Sequence, residues 1–203
     1  MVSGVLLTAG ESSRFGFPKA LASFNGKPLI QHLQKTLIAS QLDEIIVVVG
    51  AESDLIKPYI LKHKKVKIVY NKNYKFGQTS SFKCGLNSAS LQASAVMLFP
   101  VDCPFIHMNT VNKILAAHHH NDAPLIIPTH AQKKGHPPLF NTVLRKKILS
   151  LNNNEGINSI APQIGQQLYL LPVDDNHILT TFNTRDEWES ICRTLLNNPE
   201  MPA

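Results

Sequence analysis

Residues 5–19 read Val-Leu-Leu-Thr-Ala-Gly-Glu-Ser-Ser-Arg-Phe-Gly-Phe-Pro-Lys, a short apolar run that breaks into a glycine-containing loop. The apolar start predicts a buried strand. Glycines let the main chain approach a ligand closely and adopt positive φ, and inward-pointing N–H groups form a nest for anions. Arg14 and Lys19 add fixed positive charge. The stretch therefore favours a strand followed by a loop that wraps a polyphosphate.

Two common phosphate loops do not match this stretch. A P-loop needs four residues between its glycines and a Lys-Ser/Thr pair after the second, whereas five residues separate Gly10 from Gly16 and Phe17 follows. A dinucleotide fingerprint needs glycine where Ser12 stands. An ordinary βα turn with a chance arginine and lysine remains an alternative on residue types alone.

Apolar runs alternate with helical patterns along the rest of the chain. Strands are predicted over 2–8, 44–49, 66–70, 95–99, 125–127, 168–171 and 178–181, and helices over 28–38, 53–61, 80–91, 109–120, 139–151, 156–164 and 185–196. This order predicts an α/β fold with a mostly parallel sheet and helices on both faces. Ligands of such sheets bind beyond the carboxyl ends of the strands, so the glycine loop and residues 100–102 are expected at one rim.

Composition narrows the classes of partner. The chain has 203 residues, a net charge of +6 and 43% hydrophobic residues, which suits a globular domain with an anionic partner. We expect no nucleic-acid partner, because no basic stretch is interleaved with aromatic residues. The absence of long apolar runs predicts no membrane partner. Three cysteines without a Cys-x-x-Cys spacing indicate a cytoplasmic protein.

Asp102 is the strongest single candidate for catalysis. It follows an apolar strand and lies between Pro100 and Pro104. A carboxylate at a strand tip suits Mg²⁺, which prefers hard oxygen ligands. The alternative is a helix N-cap, a position that aspartate also favours.

Two further segments carry candidate binding residues. Residues 77–86 read Gly-Gln-Thr-Ser-Ser-Phe-Lys-Cys-Gly-Leu, which predicts a helix start with free N–H groups for an anion or a base; a plain Ser/Thr cap is the alternative. Residues 135–140 read Gly-His-Pro-Pro-Leu-Phe after two lysines. A single histidine is most often structural, so residue types alone leave His136 open.

Taken together, residues 7–29, 77–86, 100–104 and 135–140 resemble the molybdenum cofactor cytidylyltransferases, with the related guanylyltransferases next. The resemblance implies a three-layer α/β/α sandwich similar to the nucleotide-diphospho-sugar transferases. The length of the chain predicts that residues 1–203 form a single nucleotidyltransferase domain, and the Asn/Pro-rich composition of residues 197–203 predicts a frayed tail. The resemblance further implies Mg²⁺-dependent transfer of CMP from CTP to the phosphate of a pterin cofactor, with release of pyrophosphate. A molybdenum enzyme or chaperone would be a further partner.

The resemblance also implies roles for individual residues. Arg14 would hold the β- and γ-phosphates, Lys19 the α-phosphate, and Asp102 the metal, which makes these three the expected catalytic residues. The other residues expected to bind the nucleotide are Leu7, Thr8, Ala9, Gly10, Asn71, Gln78, Ser80 and Ser81. Gly135, His136 and Pro137 are expected to bind the pterin substrate.

One segment departs from the cytidylyl pattern. Cytidylyl-type members carry Asp-x-Asp ahead of the last helix, whereas this chain has Thr181-Phe182-Asn183. Guanylyl-type members have asparagine there, so Asn183 is expected to help hold the metal. Residues 7–10 match the cytidylyl type better, which favours CTP. A cytidylyl- or uridylyltransferase acting on a sugar or alditol phosphate, and a catalytically silent nucleotide-binding protein, remain alternatives.

Overall fold

Strands and helices alternate along residues 1–196, the part of the chain that the computed structural model describes; the tail 197–203, for which fraying was expected, lies outside it. The strands are β1 (Val2–Leu7), β2 (Ser23–Phe24), β3 (Lys27–Pro28), β4 (Glu44–Val49), β5 (Val66–Tyr70), β6 (Ala95–Pro100), β7 (Leu125–His130), β8 (Lys133–Lys134), β9 (Leu139–Asn141) and β10 (Leu168–Pro172). The α-helices are α1 (Leu29–Ala39), α2 (Ser53–Ile56), α3 (Gly77–Ser88), α4 (Met108–His119), α5 (Arg145–Ser150), α6 (Ile160–Ile164) and α7 (Arg185–Leu196). Short 3-10 helices cover Lys19–Leu21, Lys57–Tyr59, Tyr74–Phe76, Thr142–Leu144, Ile157–Ser159, Gly165–Gln167 and Asn176–Leu179. None of the helices within residues 1–196 is long and apolar enough to cross a membrane.

The main sheet has eight strands in the order β10-β7-β9-β6-β1-β4-β5, with β8 paired to β7. β1 pairs in parallel with both β4 and β6, and β4 and β7 have parallel partners in β5 and β10. β9 runs antiparallel between β6 and β7. The expected three-layer α/β/α fold with a mostly parallel sheet is confirmed.

Helices cover both faces of the sheet because its central strands are apolar on both sides. Alternate residues of β4 face opposite layers: Ile45 and Val47 belong to the core cluster that contains residues of α1 and α4, whereas Ile46 and Val48 belong to the cluster that contains residues of α3 and α6. A third, aromatic cluster lies apart from the sheet. It contains Phe15, Phe24, Phe105, Phe182 and Trp188, and it connects the loop after β1 with α7.

Several predicted elements were wrong in kind. The helix predicted over 139–151 begins with a strand, β9, because Leu139 and Phe140 fill the cores on opposite faces of the sheet. The strand predicted over 178–181 is absent: a 3-10 turn spans Asn176–Leu179, and the Asp175 side chain caps it by accepting from the His177 amide. The helix predicted over 53–61 is split into α2 and a 3-10 turn.

Candidate active site

A cleft of about 390 Å³ opens at the carboxyl ends of β1 and β6. Its walls come from the loop after β1, the first turn of α3, the residues that follow β6, and the segment before α7. The lining residues are Leu7, Thr8, Ala9, Gly10, Ser12, Ser13, Arg14, Pro18, Lys19, Ala20, Ile56, Gly77, Gln78, Ser81, Pro100, Val101, Asp102 and Asn183. β1 and β6 are parallel neighbours, so their tips necessarily lie side by side.

The loop after β1 is closed around Ser12. The amides of Phe15 and Gly16 both donate to the Ser12 carbonyl, at 2.9 and 3.0 Å, and the amide of Lys19 donates to the Ser12 hydroxyl. Gly16 has the positive φ expected of a loop glycine, +72°, but the other left-handed residue of the turn is Ser12, at 51°, and not Gly10. The turn thus places Arg14 and Lys19 on the cleft wall.

The Lys19 ammonium lies at the centre of the cleft's polar groups. Its Nζ donates to Asp102 Oδ2 and Asn183 Oδ1, both at 3.1 Å, and to the Phe182 carbonyl at 2.6 Å. The side chains of Lys19 and Asp102 are 11% and 30% exposed, so this ion pair is partly shielded from solvent. Three oxygens from two distant segments therefore converge on one cation.

Aromatic packing brings Asn183 to the loop. The rings of Phe15 and Phe182 meet edge to face with centroids 5.4 Å apart, an arrangement that aromatic pairs favour. Their chain neighbours consequently meet as well: Arg14 Nη2 donates to Asn183 Oδ1 at 2.9 Å.

A capping box fixes the segment before α7. The Glu187 carboxylate accepts from the amides of Asn183 and Thr184, and the Thr184 hydroxyl accepts from the Glu187 amide. These bonds to the charged form lower the pKa of Glu187. Glu187 was not among the predicted site residues, although Thr-x-x-Glu at a helix start is a recognisable signal.

The converging oxygens fit a divalent cation. Asp102 supplies a carboxylate, and Asn183 and the Phe182 backbone supply carbonyl oxygens, all of them the hard ligands that Mg²⁺ or Mn²⁺ prefers. Residues 1–196 contain no cluster of three or more His, Cys, Asp or Glu side chains suited to a metal. Asp102 is thus the one carboxylate among these ligands, and a cation there would need further oxygens from water or from a ligand.

Most residues predicted to bind the nucleotide line the cleft, and others lie behind it. Asn71 and Ser80 are absent from the lining. The buried Asn71 amide donates to the hydroxyls of Ser80 and Ser81, and Ser80 donates to the Asn73 carbonyl. These bonds hold the start of α3 in place. The cleft is also lined by residues that were not predicted: Ser12, Ser13, Pro18, Gly77, Ala20, Ile56, Pro100 and Val101. The first four of these stand in the quoted segments, whereas Ile56 gave no sequence signal.

The Gly135–Pro137 segment lies outside the cleft lining. The amide of Gly135 donates to the Pro128 carbonyl and that of His136 to the Ile178 carbonyl, each at 2.9 Å. Burial lowers the pKa of His136, and the negative charge of Asp102 opposes this shift. His136 Nδ1 is buried without a hydrogen-bond partner among the described residues. The thiol of Cys103, the chain neighbour of Asp102, donates to the same Ile178 carbonyl, so the segment lies close to the residues that follow β6.

The side chains of Thr8 and Ala9 contact other parts of the protein. The Thr8 hydroxyl donates to the Val48 carbonyl at 2.9 Å. Ala9 is 1% exposed and packs closely on Gly50, where an added Cβ would lie 2.8 Å from the Ala9 methyl carbon. The Thr8 hydroxyl thus donates its proton within the protein, and the Ala9 methyl group has no hydrogen-bonding atom. Neither side chain can donate a hydrogen bond to a base.

Residues 4–168 match the family described as the MobA-like NTP transferase domain. The chain is 30% identical over 156 residues to a probable molybdenum cofactor guanylyltransferase of Bacillus cereus, covering 75% of this chain and 74% of the relative. It is also 27% identical over 166 residues to nicotine blue oxidoreductase of Paenarthrobacter nicotinovorans, covering 73% and 75%.

Solved structures share the fold at lower identity. A nucleotidyl transferase from Methanothermobacter superposes with a TM-score of 0.80 at 21% identity, covering 97% of this chain and 98% of that one. Rv0371c of Mycobacterium tuberculosis, solved in complex with manganese, superposes with a TM-score of 0.78 at 19% identity, covering 95% and 97%. At these identities the likeness establishes the fold alone.

Proposed function

We propose that this chain, which belongs to the family of MobA-like NTP transferase domains and is a nucleotidyltransferase, transfers CMP from CTP to the phosphate of a pterin cofactor such as molybdopterin. The proposed cofactor is a divalent cation, Mg²⁺. The observation that carries the proposal is the convergence of Arg14, Lys19, Asp102 and Asn183 in one cleft. Transfer of a phosphate-containing group needs cationic side chains that bind the phosphates and oxygen ligands that hold a metal ion. This cleft supplies two of each.

The reaction joins two anionic groups. An oxygen of the acceptor phosphate attacks the α-phosphorus of the triphosphate in line, the new P–O bond forms, and the bond to pyrophosphate breaks. No protein nucleophile takes part, so positioning and charge neutralisation supply the catalysis. Arg14, exposed at the loop, holds the β- and γ-phosphates, and Lys19 moves onto the α-phosphate, where charge develops.

Asp102 and Asn183 are the residues that would hold the divalent cation. When bound, such an ion neutralises triphosphate charge and polarises the α-phosphate. The manganese complex of Rv0371c, which shares the fold, supports a divalent ion in this kind of protein. Phe182 contributes through its backbone carbonyl, 2.6 Å from the Lys19 ammonium.

The pterin acceptor is supported by the names of relatives. Several relatives are named probable molybdenum cofactor guanylyltransferases. The Gly135–Pro137 segment, held beside the cleft by β7 and the 176–179 turn, is the proposed contact for the pterin. A molybdenum enzyme or its chaperone is the proposed recipient of the product, and residues 1–203 are taken as one nucleotidyltransferase domain.

GMP transfer is the second candidate for the nucleotide. The relatives' names and the asparagine at position 183 favour GTP, whereas the Leu7–Gly10 sequence favours CTP. Since the side chains of Thr8 and Ala9 contact the protein, the proposed contact for either base is Gln78, which is exposed at the start of α3 and lines the cleft.

Pyrophosphate release tests the function. The full chain is incubated with Mg²⁺, each of CTP, GTP, UTP and ATP, and either molybdopterin or a panel of sugar and alditol phosphates. We expect release only with the pterin phosphate and with CTP preferred. Preference for GTP would change only the proposed nucleotide, whereas turnover on an alditol phosphate would overturn the proposed acceptor. Triphosphate binding without release on any acceptor would identify a silent nucleotide-binding protein.

A further inference from the structure

The Lys19 ammonium stands at the position that suits the divalent cation. Its Nζ is within 3.1 Å of both Asp102 Oδ2 and Asn183 Oδ1 and 2.6 Å from the Phe182 carbonyl. These are the same oxygens that form the candidate metal site. The Phe182 ring lies 5.2 Å from the ammonium, which adds a cation–π contact. The lysine is therefore held by four groups of the cleft.

The charge of the cleft favours this arrangement. Asp102 is the one carboxylate among the candidate ligands, and Lys19 neutralises it. Arg14 donates to the same Asn183 oxygen that accepts from Lys19. Both residues proposed to bind phosphate thus occupy the oxygens proposed to bind the metal. An ammonium and a divalent ion cannot share these oxygens, because their like charges repel at such short distances.

We propose that Lys19, assisted by Arg14, blocks the divalent-cation position in the nucleotide-free protein, so that cation and triphosphate must enter together. The proposal rests on the proposed function for the nature of the triphosphate. Arriving phosphates give Lys19 and Arg14 new acceptors. Asp102 and Asn183 are then released and, with phosphate oxygens completing the ligand set, hold the cation.

The side chains involved allow the exchange. Lysine carries its charge on a flexible four-carbon stem, so the ammonium can move by rotation about side-chain bonds while the Lys19 amide stays bound to Ser12. Asn183 is held by the Glu187 cap through its backbone amide, which leaves its side chain free to change partners. The exchange thus requires no unfolding of the loop.

Binding of Mn²⁺ to the full chain tests the block. Electron paramagnetic resonance measures free Mn²⁺ with wild type, Lys19→Met and Lys62→Met, first without nucleotide and then with CTP or GTP. Lys62 is exposed and precedes β5. Lys62→Met is the control because it removes the same single positive charge as Lys19→Met. We expect Lys19→Met to bind Mn²⁺ at least about tenfold more tightly than wild type without nucleotide. Lys62→Met should match wild type, and triphosphate should raise the affinity of wild type far more than that of Lys19→Met.

Equal Mn²⁺ affinity of wild type and Lys19→Met without nucleotide would overturn the block, whether both bind or neither does. Lys19→Gln repeats the comparison with a polar side chain should the methionine variant fold poorly, and adding Asp102→Asn to either variant should abolish the gained binding. Failure of the proposed function looks different: Mn²⁺ binding gained by Lys19→Met together with no pyrophosphate release on any acceptor would retain the block and reject the transfer.

Discussion

The Lys19 ammonium and the Asp102 carboxylate, 83 positions apart in the chain, form a 3.1 Å ion pair inside the cleft. The pair joins the loop after β1 to the tip of β6, and the parallel pairing of these strands brings the two segments together. Because the pair is partly solvated, it contributes on the order of 1 kcal/mol to folding. Its main consequence is therefore functional: it connects the proposed phosphate-binding and metal-binding groups.

Asp102→Asn should abolish metal-dependent turnover while leaving the fold intact. The amide keeps the shape of the carboxylate but removes the single negative charge among the ligands, so we expect kcat to fall by roughly 100-fold or more. Pyrophosphate release and the circular dichroism melting curve are the measurements. Asp174→Asn, an exposed aspartate on the loop after β10, is the control. Full activity of Asp102→Asn would refute the metal role.

Lys19→Ala should reduce kcat more than nucleotide affinity. The ammonium is proposed to act on the α-phosphate as charge develops, so its loss removes transition-state stabilisation of roughly 2–4 kcal/mol. Steady-state kinetics together with calorimetric titration of the triphosphate separate the two effects. An unchanged kcat with weaker binding would show that Lys19 serves only to bind the ground state.

Glu187→Ala should weaken metal-dependent activity without touching the cleft directly. Glu187 holds the amides of Asn183 and Thr184, so its removal loosens Asn183. We expect a several-fold rise in the Mg²⁺ concentration needed for half-maximal rate. Glu187→Gln keeps an acceptor oxygen, so its Mg²⁺ requirement should be close to that of the wild type. Loss of thermal stability in Glu187→Ala with an unchanged Mg²⁺ requirement would limit this residue to capping α7.

Gly50→Ala should distort the glycine loop. An added Cβ would lie 2.5 Å from the Tyr74 Cβ and 2.8 Å from the Ala9 carbonyl oxygen, so the backbone at Ala9 must shift. We expect a lower melting temperature and weaker triphosphate binding, by destabilisation of roughly 1–3 kcal/mol. Gly10→Ala meets no atom within 4 Å and should keep its melting temperature. Normal stability of Gly50→Ala would contradict the close packing on Ala9.

Acid should destabilise the protein partly through His136. Burial lowers the pKa of His136 in the folded state. As pH falls below about 6.5, the ordinary pKa of histidine, the unfolded chain therefore takes up a proton more readily than the folded protein. The free energy of unfolding is thus highest above that pH and decreases as pH falls through the lower folded pKa. The melting temperature should therefore fall between pH 7 and pH 5. His136→Gln should flatten this dependence, whereas His120→Gln at an exposed position should not. Partial burial also lowers the pKa values of His118 and His177, so a residual slope is expected.

Much of the fold was predictable because its signals are local. Apolar runs and helical periodicity located β1, β4, β5 and α7 with few errors, since each pattern is set by neighbours in the chain. β9 was missed because its three residues are too short to show a period, and only the packing of Leu139 and Phe140 on opposite faces makes them a strand. The assignment of individual site residues to nucleotide, metal and pterin stays a prediction.

The sequence by itself determined the glycine-containing loop after β1, the alternation of strands and helices, and the meeting of that loop with Asp102, because parallel neighbours end at the same edge of a sheet. The resemblance to the family already placed Asn183 beside the metal. Only the tertiary structure decided that Asn183 contacts the loop through Arg14 and that Lys19 lies between Asp102 and Asn183. The reason is that the packing of Phe15 on Phe182 joins residues 167 positions apart in the chain. A local sequence pattern does not predict which distant ring packs on a given side chain.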